Sequence, residues 1–199
     1  MLNKYFDKIY CINLDRATER WEKCVEQFNK YSIEVERFSA IEPEEGVNGL
    51  LRGEIGIMRT NYEIIKQAKE LNLNNILILE DDFEFVENFN TLFEKIFPMV
   101  PEDWDFLYFG GNHVSGFISI NEHIARMKHS YAIHTFAVKN TMFEKILNTL
   151  PEEKKQVDVY YADMMANCNA YVLRPHLSYQ KTGFSYINNT NVTYEFLKK

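Results

Sequence analysis

The chain has 199 residues, of which 46% are hydrophobic and 26% charged, as in an ordinary single globular domain. Its net charge of −7 argues against nucleic acid as a general partner, because nucleic-acid-binding proteins need a basic surface. No apolar run approaches the roughly 18 residues that span a bilayer. The first residues also lack the apolar segment of a signal peptide. We therefore expect a cytoplasmic protein with no membrane span.

The three cysteines, Cys11, Cys24 and Cys168, are scattered along the chain. Their spacing fits neither a zinc site nor a disulfide framework. We expect buried free thiols, as in a reducing compartment.

The first half of the chain alternates apolar runs with amphipathic stretches. Apolar residues from Trp21 to Tyr31 recur at helical spacing, and Asp15 and Thr18 are candidate caps for this helix. The same reasoning predicts a second helix over 54–72. The apolar runs before and after the two helices are typical of strands, which we predict at 8–14, 35–39 and 75–79.

The second half reads as shorter elements. Residues 88–97 and 140–150 are predicted helices, the first ended by Pro98 and Pro101, and 158–166 is a third. The remaining predictions are a strand at 105–109, antiparallel strands or a hairpin within 116–138, and extended chain over 171–180. The polar tail after about residue 183 is typical of a mobile segment. This order predicts one α/β domain over 1–199, with a mixed, mostly parallel central sheet flanked by helices.

The most informative stretch is the apolar run 76–79, which leads directly into Glu80, Asp81 and Asp82. Four consecutive apolar residues are typical of a strand buried on both faces. Ligands of open α/β sheets bind beyond the carboxyl ends of the strands, where these carboxylates would lie. Three adjacent carboxylates repel one another unless a cation or a base neutralises them.

Two interpretations of this triplet stand. One is an acidic turn that only keeps a strand end soluble. The other, which its position favours, is a Mg²⁺ or Mn²⁺ site that holds a phosphate-bearing substrate, because hard cations prefer oxygen ligands.

A second candidate segment follows the first predicted strand and contains Asn13, Leu14, Arg16 and Arg20. The arginines lie about one helical turn apart at a predicted helix start, where free N–H groups attract anions. They could grip a phosphate or pyrophosphate by forked hydrogen bonds. The alternative is an ordinary solvent-facing pair bonded to Asp15 or Glu19.

With these motifs in place, the chain resembles glycosyltransferase family 25, which includes lipooligosaccharide and collagen galactosyltransferases. The similarity spans roughly 8–187 and depends on the order and spacing of several segments. These segments are 9–16 with Arg20, Phe38-Ser39-Ala40-Ile41, Gly53-Glu54-Ile55-Gly56, Ile78-Leu79-Glu80-Asp81-Asp82, and 104–110.

The resemblance implies a GT-A-type fold, a single nucleotide-binding domain, with a divalent metal and an activated sugar such as UDP-galactose. It implies that the metal is held by Asp82 and Glu80, with His176 a candidate third ligand. The alternative is that His176 is only a loop residue, which is the more common role of a lone histidine after a proline such as Pro175. The implied nucleotide-sugar-binding residues are Asn13, Leu14, Arg16, Arg20, Ala40, Thr60, Asn61, Glu80 and Asp81.

The family is expected to invert the anomeric centre, which requires a base for the acceptor hydroxyl. Asp158 is the candidate base, since its surroundings resemble a Val-Asp-x-Tyr/Phe segment of the family, and its alternative role is a helix N-cap. Asp163 is the second choice. His134 lies in a predicted strand, and we expect it to be packed rather than catalytic.

The chain departs from the family pattern at two places. It has Thr60-Asn61 where members commonly show Ser-His, and Tyr186 where they commonly show an aspartate. Asparagine cannot titrate as histidine does. These departures motivate the alternative of a catalytically inactive relative.

The sequence thus predicts a metal-dependent glycosyltransferase, with Mn²⁺ or Mg²⁺, that moves galactose or glucose from a UDP-sugar with inversion. The acceptor would be a hydroxyl of a glycan or of a hydroxylated peptide. One alternative is a catalytically inactive relative that binds a nucleotide-sugar or glycan as a scaffold. Another is a Mg²⁺-dependent phosphohydrolase, although no companion carboxylate motif for a second metal is visible.

Overall fold

A computed structural model of the protein describes residues 2–113 and 115–194. These residues form one α/β domain around an eight-stranded sheet of order β2-β1-β3-β8-β5-β9-β7-β6, with two further two-stranded sheets. The strands are β1 Lys8–Asn13, β2 Glu36–Ser39, β3 Asn75–Glu80, β4 Phe83–Phe85, β5 Phe106–Tyr108, β6 Phe117–Ser119, β7 Ile124–Met127, β8 Thr135–Lys139, β9 Ala170–Leu173, β10 Ser178–Gln180, β11 Gly183–Ser185 and β12 Thr190–Val192.

The main sheet is mixed, as predicted. β1 pairs in parallel with β2 and β3, and β5 pairs in parallel with β9. β8 runs antiparallel between β3 and β5, and β7 runs antiparallel between β9 and β6. Among the described strands of this sheet, only β8 and β7 oppose the common direction. The carboxyl ends of β1 and β3 therefore meet at the same edge of the sheet.

Helices cover both faces of the sheet. They are α1 Thr18–Tyr31, α2 Arg52–Glu70, α3 Phe89–Ile96, α4 Phe143–Thr149 and α5 Val157–Met164. Alternate residues of a strand face opposite sides, and the core divides accordingly. Ile76 and Ile78 pack with buried residues of α2, α4 and α5, whereas Leu77 and Leu79 pack with those of α1 and α3. The run 76–79 is fully buried, as its composition predicted.

Two local predictions differ from the structure. The N-cap of α1 is Ala17 and makes no side-chain capping bond, so Asp15 and Thr18 do not cap this helix. Asp15 instead accepts a hydrogen bond from the Ser39 hydroxyl at 2.8 Å, because β2 ends beside it. The strand β4 was not predicted. It follows the acidic turn directly and pairs antiparallel with β10.

The tail after Gly183 forms a hairpin of β11 and β12. Its residues 195–199 lie outside the described part of the chain. Whether the hairpin moves in solution stays a prediction. The cysteines are free and buried, as expected. Of the helices in the described residues, none combines the length and apolarity needed to cross a membrane.

Candidate active site

A cavity of about 700 Å³ opens at the carboxyl ends of β1 and β3. This volume is typical of small-molecule sites. The cavity brings together Asn13, Leu14, Arg16, Arg20, Ala40, Glu80, Asp81, Asp82 and Asp158. Most of the predicted site residues therefore share one space, although they come from four separate parts of the sequence.

The floor of the cavity, defined as Glu80, Asp82 and Asp158, is acidic. Burial, reinforced by the negative charge of Asp81, raises the pKa of Asp82 to about 6. Burial and the charge of Asp82 also raise the pKa of Glu80 well above its usual value, and Asp158 contributes to that shift. Asp82 Oδ1 is buried and has no hydrogen-bond partner within the described residues. The floor thus concentrates negative charge that the surrounding protein only partly compensates.

Asp81, in contrast, is paired. Its Oδ1 lies 2.5 Å from Arg20 Nη1, and its Oδ2 accepts a hydrogen bond from the Asn13 amide at 2.7 Å. The Asn13 side-chain oxygen in turn accepts two bonds from Arg37, at 3.0 and 2.7 Å. Asn13 is 1% exposed, so its role here is to orient Asp81.

Asp158 is the second residue of α5, whose N-cap is Gln156 rather than Asp158. The alternative interpretation of Asp158 as the N-cap of this helix is therefore wrong. Burial raises the pKa of Asp158, while hydrogen bonds from the backbone amides of Val159 and Ala132 act in the opposite direction. Ala132 has a φ of 65°, a left-handed conformation that is costly for alanine. The loop before β8 is thus strained at the point where it contacts the predicted base.

The floor residues fit a hard divalent cation in one respect. An unpartnered buried carboxylate oxygen beside a second carboxylate is the oxygen-rich environment such ions prefer. Within residues 2–113 and 115–194, no group of three or more His, Cys, Asp or Glu is arranged to hold a metal. Glu80 and Asp82 could therefore supply two ligands, and the remaining positions would go to water or phosphate oxygens, as is usual for Mg²⁺.

The mouth of the cavity, defined as Arg16, Arg20 and Arg52 with their partners, is basic. Arg16 Nη2 lies 2.9 Å from Glu42 Oε1, and Arg52 Nη2 lies 3.5 Å from the same atom. Two arginines thus share one carboxylate. The side chains of Arg16 and Arg52 are each 53% exposed.

The tail hairpin forms the roof of the cavity, which the sequence did not predict. Ser185, Tyr186, Ile187, Asn188, Asn189 and Tyr194 all line the cavity. Burial, together with the charges of Asp82 and Glu80, raises the pKa of Tyr194 to about 12. The backbone carbonyl of Asp82 accepts a hydrogen bond from the Lys181 amide at 2.7 Å, which connects the floor to the start of the roof.

The structure does not bring Thr60 and Asn61 to the cavity surface. Both are fully buried in α2. The Thr60 hydroxyl donates to Gly56 O at 2.7 Å and accepts from the Ile41 amide at 2.9 Å. Asn61 Oδ1 accepts from the Tyr161 hydroxyl at 3.2 Å. Their contacts are structural, because they join α2 to the loop after β2 and to α5.

Nor does the structure bring His176 together with Glu80 and Asp82. His176 Nε2 lies 3.0 Å from His113 Nε2, and His113 Nδ1 lies 2.9 Å from the Ser130 hydroxyl. Burial and the neighbouring His176 lower the pKa of His113 to about 4.

His134 is packed and 1% exposed, as expected. Asp163 lies on the surface, where it pairs with Lys155 at 2.8 Å.

Besides the roof, several other residues line the cavity that sequence reasoning did not single out, among them Arg52, Glu54 and Asn112. Glu54 accepts from the Leu51 amide at 2.7 Å and from the Gln156 side chain, so it joins α2 to the start of α5. Its place in the Gly53-Glu54-Ile55-Gly56 segment was the signal that could have identified it. Asn112 reaches the cavity because it forms an isolated bridge with Tyr131, and no local pattern reveals that pairing.

One solved structure with a similar fold is "Crystal Structure of A197 from STIV", with a TM-score of 0.52. The match covers 94% of this chain and 93% of that one at 11% identity, so it supports the fold alone.

Two sequence relatives are informative. A "Glycosyltransferase 25 family member" of Anopheles gambiae is 27% identical over 187 residues, covering 80% of this chain and 32% of the relative. Human "Procollagen galactosyltransferase 2" is 26% identical over 129 residues, covering 53% of this chain and 21% of the relative. The chain therefore spans about a third or less of the length of these relatives.

The family model described as "Glycosyltransferase family 25 (LPS biosynthesis protein)" matches residues 47–180, more than half of the chain. This stretch contains the acidic turn, Asp158 and most of the main sheet. The chain belongs to glycosyltransferase family 25.

Proposed function

We propose that the protein is a metal-dependent, inverting glycosyltransferase that moves galactose or glucose from a UDP-sugar to a hydroxyl acceptor. The acceptor would be a glycan or a hydroxylysine-type side chain. The observation behind this proposal is the convergence of Glu80, Asp82 and Asp158 in one cavity with arginines at its mouth. The relatives support its direction, since one is named for galactosyl transfer to procollagen and the family description names lipopolysaccharide biosynthesis.

In this proposal the floor holds the diphosphate end of the donor. Glu80 and Asp82 would hold Mn²⁺ or Mg²⁺, which supplies Lewis-acid stabilisation of the charge on the leaving diphosphate. Arg16 and Arg20 at the mouth would donate hydrogen bonds to the phosphate oxygens. Asn13 would contribute by keeping Asp81 oriented toward Arg20.

Asp158 would take the proton of the acceptor hydroxyl as that oxygen attacks the anomeric carbon. Its raised pKa makes it a stronger base than an exposed aspartate. The amides of Val159 and Ala132 favour its charged form, which is the form a base requires. The Asp158 carboxylate would therefore be more basic than an exposed aspartate, while the two amides stabilise its charged form.

A screen of UDP-sugars with Mn²⁺, read by mass spectrometry for released UDP and transferred sugar, tests the proposal. Asp82→Asn should lower turnover by about 100- to 1000-fold, because it removes a charged oxygen from the floor. Glu84→Gln is the matched control, since Glu84 is exposed on β4 two residues away. Full turnover in the Asp82→Asn variant would defeat the metal assignment.

A second candidate function is a catalytically inactive relative that binds a nucleotide-sugar or glycan. The observation that favours it is that Arg20 already bonds both Asp81 and the Phe184 carbonyl within the chain. Calorimetric titration of UDP-sugars beside the turnover screen separates the two functions. Binding without release of UDP from any donor would support the inactive relative.

A further inference from the structure

One aromatic ring of the roof contacts two arginines of the mouth. Tyr186 lies between β11 and β12, and the guanidinium carbons of Arg16 and Arg20 lie 4.6 and 4.8 Å from its ring centroid. Both distances are within the roughly 6 Å over which a guanidinium is attracted to an aromatic ring. Tyr186 is therefore a shared partner of the two arginines that the proposed function assigns to the diphosphate.

This partner differs in kind from the others that the arginines have. Arg16 also pairs with Glu42, which it shares with Arg52, and Arg20 pairs with Asp81, and each carboxylate offsets part of the positive charge of the guanidinium it contacts. The phenol ring of Tyr186 is uncharged. It can restrict where the two guanidinium groups lie without cancelling the positive charge that attracts an anion.

Contacts on several sides fix the position of Tyr186. Arg20 donates to the carbonyl of Phe184, and the Phe184 ring meets the Tyr186 ring edge-on at a centroid distance of 5.4 Å. A Cβ at Gly53 would lie 2.5 Å from Ile187 Cα, so the missing side chain at Gly53 allows the backbone after Tyr186 to pack on the start of α2. The hairpin thus presents the ring at one defined place.

We infer that Tyr186 is a positioning residue of the donor site, which holds Arg16 and Arg20 in place for a nucleoside diphosphate without neutralising them. This inference rests on the proposed function. Its physical basis is preorganisation, because two long side chains that are ordered before binding lose less freedom when the anion arrives. Tyr186 lies beyond residues 47–180, so the match to the family model does not include it.

The test compares Tyr186→Phe, which keeps the ring, with Tyr186→Leu, which fills similar space without a π-system. Calorimetry with UDP and with inorganic pyrophosphate, at constant Mn²⁺, should show binding about 5- to 30-fold weaker in the leucine variant. The phenylalanine variant should stay within about twofold of wild type. In turnover assays the leucine variant should raise the KM for the donor, while kcat changes little.

The chain offers a matched control. Phe117 is 41% exposed and lies 4.2 Å from the Arg174 guanidinium carbon, outside the cavity. Phe117→Leu removes the same kind of contact and should leave UDP affinity unchanged. Equal weakening by the phenylalanine and leucine variants of Tyr186 would overturn the inference. Tighter binding in Tyr186→Leu would also overturn it, because the ring would then be a competitor of the ligand.

A measurement without ligand separates this inference from the proposed function. Ring-current shifts of the Arg16 and Arg20 Nε–H signals in NMR should persist in Tyr186→Phe and vanish in Tyr186→Leu. Identical signals in all three proteins would overturn the positioning role and leave the proposed function standing. Normal shifts in a wild-type protein that binds neither UDP nor pyrophosphate would overturn the donor role together with the proposed function.

Discussion

The floor and the mouth of the cavity handle charge in opposite ways. In the floor, Asp82 Oδ1 is buried without a hydrogen-bond partner among the described residues, and the pKa values of Glu80, Asp82 and Asp158 are all raised. At the mouth, Arg16 and Arg20 each have a carboxylate partner and share the ring of Tyr186. The floor is built on β3 and α5, whereas the mouth depends on loops, the start of α1 and the roof.

This difference indicates where a bound ligand would gain the most binding free energy. Bringing a cation to buried carboxylates that are only partly compensated relieves repulsion that the fold already sustains. An anion at the mouth must instead compete with Glu42 and Asp81, the carboxylates that Arg16 and Arg20 already contact. The following predictions test whether the floor dominates the chemistry and the pH dependence while the mouth contributes less.

The largest expected effect is in the floor, at Asp158. Asp158→Asn can still accept hydrogen bonds from the amides of Val159 and Ala132, but it cannot take a proton. We expect kcat to fall by about 10²- to 10⁴-fold, while UDP affinity stays within about twofold. Steady-state kinetics and calorimetry check this, with Asp163→Asn as the surface control. Unchanged kcat would place the base elsewhere.

The second effect is stabilisation of the floor by a divalent ion. At pH 7.5, Mn²⁺ at about 100 times its Kd should add about 2.7 kcal/mol to the free energy of unfolding. At pH 5 the effect should shrink, because protons compete at Asp82, whose pKa is about 6. Differential scanning calorimetry measures both. A metal-induced shift of equal size in the Asp82→Asn variant would contradict the assignment.

The third effect is the pH dependence of metal-free stability. The pKa of Asp82 rises from 3.8 to about 6 on folding, so the native state binds this proton more tightly than the unfolded state. This proton therefore contributes roughly 1 to 3 kcal/mol to the free energy of unfolding at low pH. The contribution is lost as the pH rises through about 6. Urea unfolding between about pH 4 and pH 7 checks this. Asp82→Asn should flatten the curve, and an unaltered slope would show that other groups cause it.

The smallest effect is expected at the mouth. Arg16 is 53% exposed where it pairs with Glu42, so Arg16→Gln should change the free energy of unfolding by no more than about 1 kcal/mol. Urea unfolding at two salt concentrations measures it, because a screened surface pair should matter even less at high salt. If Arg16→Gln lost more unfolding free energy than any floor variant, the expected order of floor and mouth would be wrong.

The floor was more predictable from sequence than the roof, for a physical reason. The strand before Glu80 is an uninterrupted apolar run, and α2 shows helical spacing, so local pattern places both within a few residues. The carboxylates follow that strand directly, and their location at the sheet edge comes with it. Asp158 required the family resemblance, because one aspartate near a helix start is also a common cap.

The roof carries no comparable local signal. Residues 183–192 mix polar and apolar residues without sustained alternation, and their packing depends on Arg16, Arg20 and Gly53, which lie far away in the sequence. Thr60 and Asn61 show the converse case. The resemblance assigned them to binding, but their side chains hydrogen-bond inside the fold.

The connections of the roof also bear on how this scaffold could be re-engineered. Its base is closed by Thr182, whose hydroxyl lies 3.4 Å from that of Thr193 and accepts from the Tyr194 amide at 3.2 Å. Immediately before Thr182, the backbone amide of Lys181 donates a hydrogen bond to the backbone carbonyl of Asp82. The segment between these contacts therefore has fixed ends, so alternative loops that keep Tyr186 could be grafted there while the sheet and its carboxylates stay unchanged.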